Sequence, residues 1–150
     1  MSTKGNINLN MNNPRIAKFV NYLMKEGKKY LAMKLLSNAF ARIKEKSQKN
    51  PEEVFEKAID NVIPKIEVRP KRVWGSIYQV PQEVPQKRQF ALAVRWLLDS
   101  ANSKSGRSVA EFLAQELIEA SEETGAAYKK KLEVYKMAEA NRAFARFANR

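Results

Sequence analysis

The sequence predicts a mainly α fold: a six-helix bundle with a two-stranded β-hairpin projecting between the third and fourth helices. Three observations carry this prediction. Apolar residues recur at three- and four-residue spacing through six segments, the period of a helix with one buried face. Residues 65–84, KIEVRPKRVWGSIYQVPQEV, break that period with two β-like runs, Ile66-Glu67-Val68 and Ile77-Tyr78-Gln79-Val80, on either side of Gly75, and a glycine between such runs supplies a turn. A length of 150 residues fits one ordinary domain with a real core. The expected organisation is a flexible tail over residues 1–13 and a single helical domain over 14–150, with the hairpin at about 65–84.

The elements follow in order. The first helix spans residues 14–26, with Ile16, Phe19, Val20 and Leu23 inward and Gly27 as its C′ residue. The second, 28–46, places Ala32, Leu35, Leu36, Ala39, Phe40 and Ile43 on one face. Asn50 as N-cap, Pro51 at the first position and Glu53 at the third start the third helix. Its buried face is Val54, Phe55, Ala58, Ile59 and Val62, and Pro64 stops it. In the hairpin Trp74 sits at the tip, and Pro81 and Pro85 end strand pairing. The fourth helix, 87–101, turns Phe90, Val94, Leu97 and Leu98 inward, with Trp96 among the apolar set. Ser108 and Glu111 form a capping box for the fifth, which presents Val109, Phe112, Leu113, Leu117 and Ala120 and ends at Gly125. The sixth is expected to run unbroken from about residue 127 to the C-terminus, with Leu132, Tyr135, Met137, Ala138, Phe144 and Phe147 on its apolar side.

Composition narrows function. Lys and Arg number 28 against 16 Asp and Glu, a net charge of +12, which favours polyanionic partners. Those are a nucleic acid, an anionic membrane surface or an acidic protein. The chain has no Cys and no His, which removes disulfides, thiolate zinc sites and imidazole acid–base chemistry. Neither a Walker A loop nor GxGxxG occurs. Glu52, Glu53, Glu56, Glu119, Glu122 and Glu123 fall at helix ends or on polar faces, where they cap or face solvent. The expectation is therefore no catalytic residue, no metal and no cofactor. No apolar run reaches transmembrane length and no signal peptide opens the chain.

The positive charge is concentrated. Arg15, Lys18, Tyr22 and Lys25 fall at i, i+3, i+7 and i+10, along one side of a helix, and Lys28 and Lys29 follow at the start of the next. Arg69, Lys71 and Arg72 sit on the hairpin; Val73, Trp74, Gly75 and Ser76 form its tip, where no core needs filling. The sixth helix carries Lys129, Lys130, Lys131, Lys136, Arg142, Arg146 and Arg150, while the fifth is acidic. That asymmetry argues for one nucleic-acid surface. A helical DNA repressor would need a recognition helix and a dimer face, and none stands out. A membrane-surface protein would need a broad apolar side on its basic helix, where this chain places alanines.

Four motifs, KFVNYLMKEGKK (18–29), IYQVPQEV (77–84), ALAVRW (91–96) and KMAEANRAFARF (136–147), resemble, in order, those of the bacterial-type ribosomal protein seven of the small subunit. The resemblance runs from about Pro14 onward. It implies a helical bundle with an extended hairpin that binds small-subunit rRNA and nucleates assembly of the head. It implies further that the hairpin and C-terminal helix face the exit-site tRNA and mRNA path, beside the platform ribosomal protein eleven and other head proteins, in a chain that neither pairs with itself nor meets a membrane. Carried over by motif, rRNA contact falls on Lys18, Lys25, Lys28, Lys29, Arg69, Lys71, Arg72 and Arg95. The exit-site surface falls on Val73, Trp74, Gly75 and residues 136–147, with Arg142 and Arg146 on phosphate. Three departures from the family pattern stand out: Trp74-Gly75 replaces Gly-Gly, the N-terminus is Asn-rich rather than basic, and Tyr135 and Arg146 stand where His is common. The place implied is a ribosome, whether in bacterial cytoplasm, mitochondrial matrix or plastid stroma.

Overall fold

Local chemistry sets the helix starts. Asn13 accepts a hydrogen bond from the Arg15 amide with Pro14 at the first helical position, and Asn50 accepts from the amides of Glu52 and Glu53 with Pro51 next to it. Ser108 accepts from the Glu111 amide. Each cap satisfies amides that a helix N-terminus leaves unpaired. The computed structural model describes residues 7–148. Within them run α1 (Pro14–Leu23), α2 (Lys29–Ser47), α3 (Pro51–Val62), β1 (Ile66–Val73), β2 (Ser76–Glu83), α4 (Gln86–Asn102), α5 (Val109–Ser121), α6 (Ala126–Ala140) and a 3-10 helix, Arg142–Phe147. The mainly α architecture, with its hairpin between α3 and α4, is the one the sequence predicts.

The predicted apolar stripes of α1–α5 make one core, except for Val109, which is exposed at the start of α5. Phe55 lies at its centre, with Phe19 edge-on at 5.3 Å and Phe40 at 5.7 Å between ring centroids. Leu36, Ile43, Ile59, Leu97, Leu113 and Leu117 close around them, fully buried. The fifth helix packs against α2, α3, α4 and α6. Its sequence explains why: Phe112, Leu113, Ala114, Leu117 and Ala120 cover more than one side, as a helix surrounded by others requires.

The hairpin is longer and more regular than the two short runs suggest. Its strands pair antiparallel from Ile66↔Glu83 to Val73↔Ser76. Trp74 and Gly75 form the two-residue turn with φ of 51° and 82°, positive at both central positions as a type I′ turn demands. Pairing does not stop at Pro81, which sits opposite Val68, and Pro70 sits opposite Gln79. In such a ladder hydrogen-bonded pairs alternate with non-bonded ones. Counting from the closing pair Val73–Ser76, the bonded pairs fall on odd positions of β1, and the next one beyond the strand appears as Val84 N–H donating to Lys65 O at 3.0 Å. Both prolines fall between them, where no ladder amide is needed.

Other predicted boundaries move for identifiable reasons. The first helix ends at Leu23; Met24 is extended, and Glu26 and Gly27 take left-handed φ of 55° and 73°. Lys25 therefore lies beyond the helix. The sixth helix breaks at Asn141, whose side-chain amide donates to Met137 O at 2.9 Å while its backbone N–H reaches the same oxygen. A side chain that competes for the helix's own carbonyl ends it locally. Leu132 and Met137 are exposed on α6 rather than inward. Residues 8–13, expected in a loose tail, make specific contacts: Asn8 N–H donates to Ser37 Oγ, Asn13 Nδ2 to Glu52 and Glu56, and Leu9 and Met11 pack on the core. Residues 1–6 lie outside the described residues.

A second, smaller cluster joins Val73, Val80 and Phe147, flanked by Tyr78 and Phe144. It gives the hairpin the packed face that a two-stranded ribbon by itself lacks. The two clusters should respond differently to truncation. Phe55→Ala should cost about 3–5 kcal/mol of global stability, as central aromatic deletions do. Phe147→Ala should leave the thermal midpoint within a few degrees while hydrogen exchange accelerates at the amides of residues 69–80. Calorimetry alongside exchange mass spectrometry checks both.

Candidate nucleic-acid interface

The turn joining α1 to α2 is the first basic element. It exposes Lys25, Lys28 and Lys29, with Lys18 on α1 beside it. Lys28 has one carboxylate neighbour, Glu26 at 3.6 Å. Arg15 was expected in the same stripe, yet its guanidinium turns to α3, 3.0 Å from Glu56 and 2.7 Å from Asp60. Burial opposes its charge, but hydrogen bonds and attraction from Asp60 and Glu56 outweigh that and raise its pKa above the usual arginine value. Arg15 thus ties α1 to α3. On α4, Arg95 is exposed between buried Val94 and half-buried Trp96.

The hairpin divides its basic residues between two faces, because side chains alternate along a strand. Glu67, Arg69, Lys71 and Val73 of β1 share a face with Val80 and Tyr78 of β2. The C-terminal segment covers that face. Tyr78 lies 5.0 Å from Phe144 and 5.1 Å from Phe147, and Lys71 Nζ donates to Ala148 O at 3.0 Å. Val73, expected on the exit-site tip, is buried there. The opposite face is open and carries Arg72 and Ile77, 63% exposed. At the tip Trp74 is 78% exposed, with one edge against Phe147 at 6.2 Å, and Gly75 and Ser76 are exposed beside it.

The C-terminal element departs most from the predicted stripe. Lys129, Lys130 and Lys136 are exposed on α6. Lys131 lies over Tyr128 at 4.8 Å and Tyr135 at 5.5 Å; burial pushes its pKa down, against the attraction of Glu123. Tyr135 hydroxyl accepts from Lys65 N–H, fixing α6 to the hairpin root. Arg142 and Arg146 belong to the 3-10 helix, where four residues turn the chain to roughly 120° apart rather than the roughly 40° of an α-helix. Arg142 neighbours Glu139 at 3.3 Å, and the Arg146 guanidinium stacks over Phe147 at 4.9 Å. Arg150 lies outside the described residues.

Among the described residues, Lys18, Lys25, Lys29, Arg69, Arg72, Arg95, Lys129, Lys130 and Lys136 take part in no ion pair. Two acidic residues, Glu67 and Glu116, are buried and engaged. Glu67 holds Arg88 through two bonds of 2.8 and 3.0 Å, which anchor the hairpin root to α4. Glu116, 1% exposed on α5, accepts from Lys104 at 2.8 Å. Both pairs escape sequence reading: Glu67 looks like a strand-surface residue, and Glu116 looks like one more acid on an acidic helix. Among the described residues no helix is long and apolar enough to cross a membrane, and no group of three or more acidic side chains is arranged to hold a metal.

The Lys104–Glu116 pair gives a pH-dependent prediction. The hydrogen bond to Glu116 raises the Lys104 pKa, against burial and with help from the charges of Glu116 and Glu119. A raised lysine contributes stability that is full below its unfolded pKa and is lost as pH rises through the folded value. Lys104→Gln leaves the buried carboxylate, whose other oxygen has no partner among the described residues, without its cation, and should cost about 1–3 kcal/mol at pH 7, below the figure for a fully buried pair because the lysine side chain is 37% exposed. The gap between variant and parent should narrow above about pH 10, the ordinary lysine range. Urea titrations of both proteins from pH 7 to 11 measure it.

The arrangement is a helical body with exposed cations on α1, the α1–α2 turn, the hairpin, α4 and α6 that take part in no ion pair among the described residues. The family model for ribosomal protein S7p/S5e matches residues 3–142. The small ribosomal subunit protein uS7 of Petrotoga mobilis is 54% identical over 132 residues, covering 88% of this chain and 85% of that protein. Its counterpart in Thermotoga maritima is 50% identical over 132 residues, with 88% and 85% covered. The one from a Thermoanaerobacter species is 48% identical over 136 residues, with 91% and 87% covered. The four motifs, the hairpin between α3 and α4 and this match along nearly the whole chain agree: the chain belongs to the ribosomal protein S7p/S5e family.

Proposed function

We propose that the chain is a structural constituent of the small ribosomal subunit whose basic surface binds small-subunit rRNA. The family consists of ribosomal proteins rather than enzymes. The observation that carries the reading is the partition of charge: Lys25 and Lys29 at the α1–α2 turn, Arg69 and Arg72 on the hairpin and Lys129, Lys130 and Lys136 on α6 are exposed and take part in no ion pair among the described residues, while Glu56, Asp60, Glu67 and Glu116 are engaged by Arg15, Arg88 and Lys104. A surface left positive in this way releases counterions from phosphates on binding.

The finer reading is that binding nucleates the head of the subunit, and that the hairpin tip and C-terminal segment sit at the exit-site tRNA and mRNA path beside platform protein eleven. The tip supports this. Trp74 holds a left-handed backbone conformation, which costs a non-glycine residue roughly 1–3 kcal/mol, and it leaves most of its indole outside. A bulky aromatic kept there against that cost fits contact with a base or a neighbouring protein.

Binding to an rRNA head fragment should be electrostatic and selective. With roughly six phosphates neutralised, log K should fall against log salt with a slope of about −4 to −5. A slope near zero, or equal affinity for duplex DNA or anionic vesicles in parallel gel shifts, rejects the reading.

The tip has its own test. Trp74→Asn keeps the type I′ turn, so incorporation into subunits should be unchanged, while exit-site tRNA occupancy or frame maintenance falls. Normal translation by subunits carrying Trp74→Asn removes the exit-site assignment and leaves rRNA binding standing.

A further inference from the structure

Beside the basic turn lies a groove of about 340 Å³ that the charge argument does not use. Leu31, Leu35 and Leu98 form its aliphatic floor, from α2 and α4. Tyr22 makes one wall, 49% exposed, with its ring held from behind by Phe90 at 6.2 Å. Val109 at the start of α5 makes the other. Lys25 and Lys28 stand on the rim together with the amide of Asn102, the last residue of α4, and with Glu26, an exposed carboxylate 3.6 Å from Lys28 that a phosphate would have to displace.

We propose that this groove seats one unpaired nucleobase of the rRNA, with the phosphates on either side of it held by Lys25 and Lys28. The inference rests on the rRNA-binding reading and deepens it. Each part of the groove matches a part of a nucleotide. An aromatic ring fixed from behind offers a stacking face without losing rotamer freedom on binding, and single-stranded bases are recognised by such stacking. The leucine floor accepts the base's apolar body. A side-chain amide carries both donor and acceptor and so complements the edge of a base. The two lysines belong to the same turn as Lys29, so the groove opens directly onto the basic surface. An aliphatic side chain from a partner protein would fill the floor but would use neither the paired lysines nor the amide.

The test uses the full chain and the head fragment of small-subunit rRNA. Tyr22→Ala should weaken binding by roughly 5- to 150-fold, the range for removing one base–aromatic stack, with the salt slope unchanged. Tyr22→Phe should restore it. Leu31→Ser, at a position more than half exposed, should also weaken binding and guards against a folding artefact at Tyr22. Lys25→Gln should instead make the salt slope shallower by about one phosphate's share. A photoreactive leucine analogue in place of Leu31 should crosslink to a single unpaired nucleotide in reconstituted subunits. The proposal is overturned if Tyr22→Ala and Leu31→Ser bind like the parent, since lysine contacts alone then account for affinity. Crosslinking to a ribosomal protein overturns it too. Were the unaltered chain not to bind the fragment, the rRNA reading itself would fall, an outcome distinct from both.

Discussion

Burial of α5 is the interaction on which the rest of the molecule depends. Its apolar residues reach α2, α3, α4 and α6 together, so these four helices are organised around it while α1 joins through α2 and α4. Phe112, Leu113 and Leu117 supply much of the core that Phe55 centres. With one helix internal, the α1–α2 turn, α6 and the hairpin lie at the periphery and carry many of the exposed cations. The acidity of α5 is consistent with this place: Glu111 pairs with Arg42 of α2 at 2.7 Å and Glu116 with Lys104. Its carboxylates hold neighbouring segments to the core.

That use of carboxylates shapes the surface field as well as the fold. Arg15, Arg88 and Lys104 are three basic residues engaged by carboxylates of the fold, and the partners of the last two, Glu67 and Glu116, are out of solvent. What remains outside is mostly positive. A protein of this size with +12 repels itself when alone, and a polyanion relieves that repulsion. Partly exposed pairs of this kind add little net stability compared with apolar packing. Their effect here is geometric: one fixes the hairpin root on α4 and another fixes the α4–α5 loop.

The hairpin shows how a marginal element becomes a defined one. It is held at its root by Glu67–Arg88 and by Lys65 N–H to the Tyr135 hydroxyl. Along one face it is held by Phe144 and Phe147. The break of α6 at Asn141 makes that possible, since a straight helix would carry these aromatics past the ribbon. Arg69 and Lys71 share the backed face, whereas Arg72 lies on the open one. Hairpin and C-terminal segment are therefore one structural unit, and a change in either alters the surface both present.

The sequence by itself determined that the helices exist, the capped starts of α1, α3 and α5 and most of the inward faces of α1–α5, because N-cap residues and 3.6-residue periodicity are local; the ends of α1, α5 and α6 it placed too far along. It determined the hairpin too, since Trp74-Gly75 between β-like runs permits little else, and it determined the sign and family character of the surface. Only the tertiary structure decided which cations remain outside. Arg15 lies on the same helical side as Lys18, yet Glu56 and Asp60, more than forty residues away, claim it. Only the fold showed that Pro81 sits in a non-bonded ladder position and that Asn141 ends α6. It alone showed that Val73 is covered by Phe147. Each of these depends on which distant partner a side chain meets, and periodicity carries no information about that.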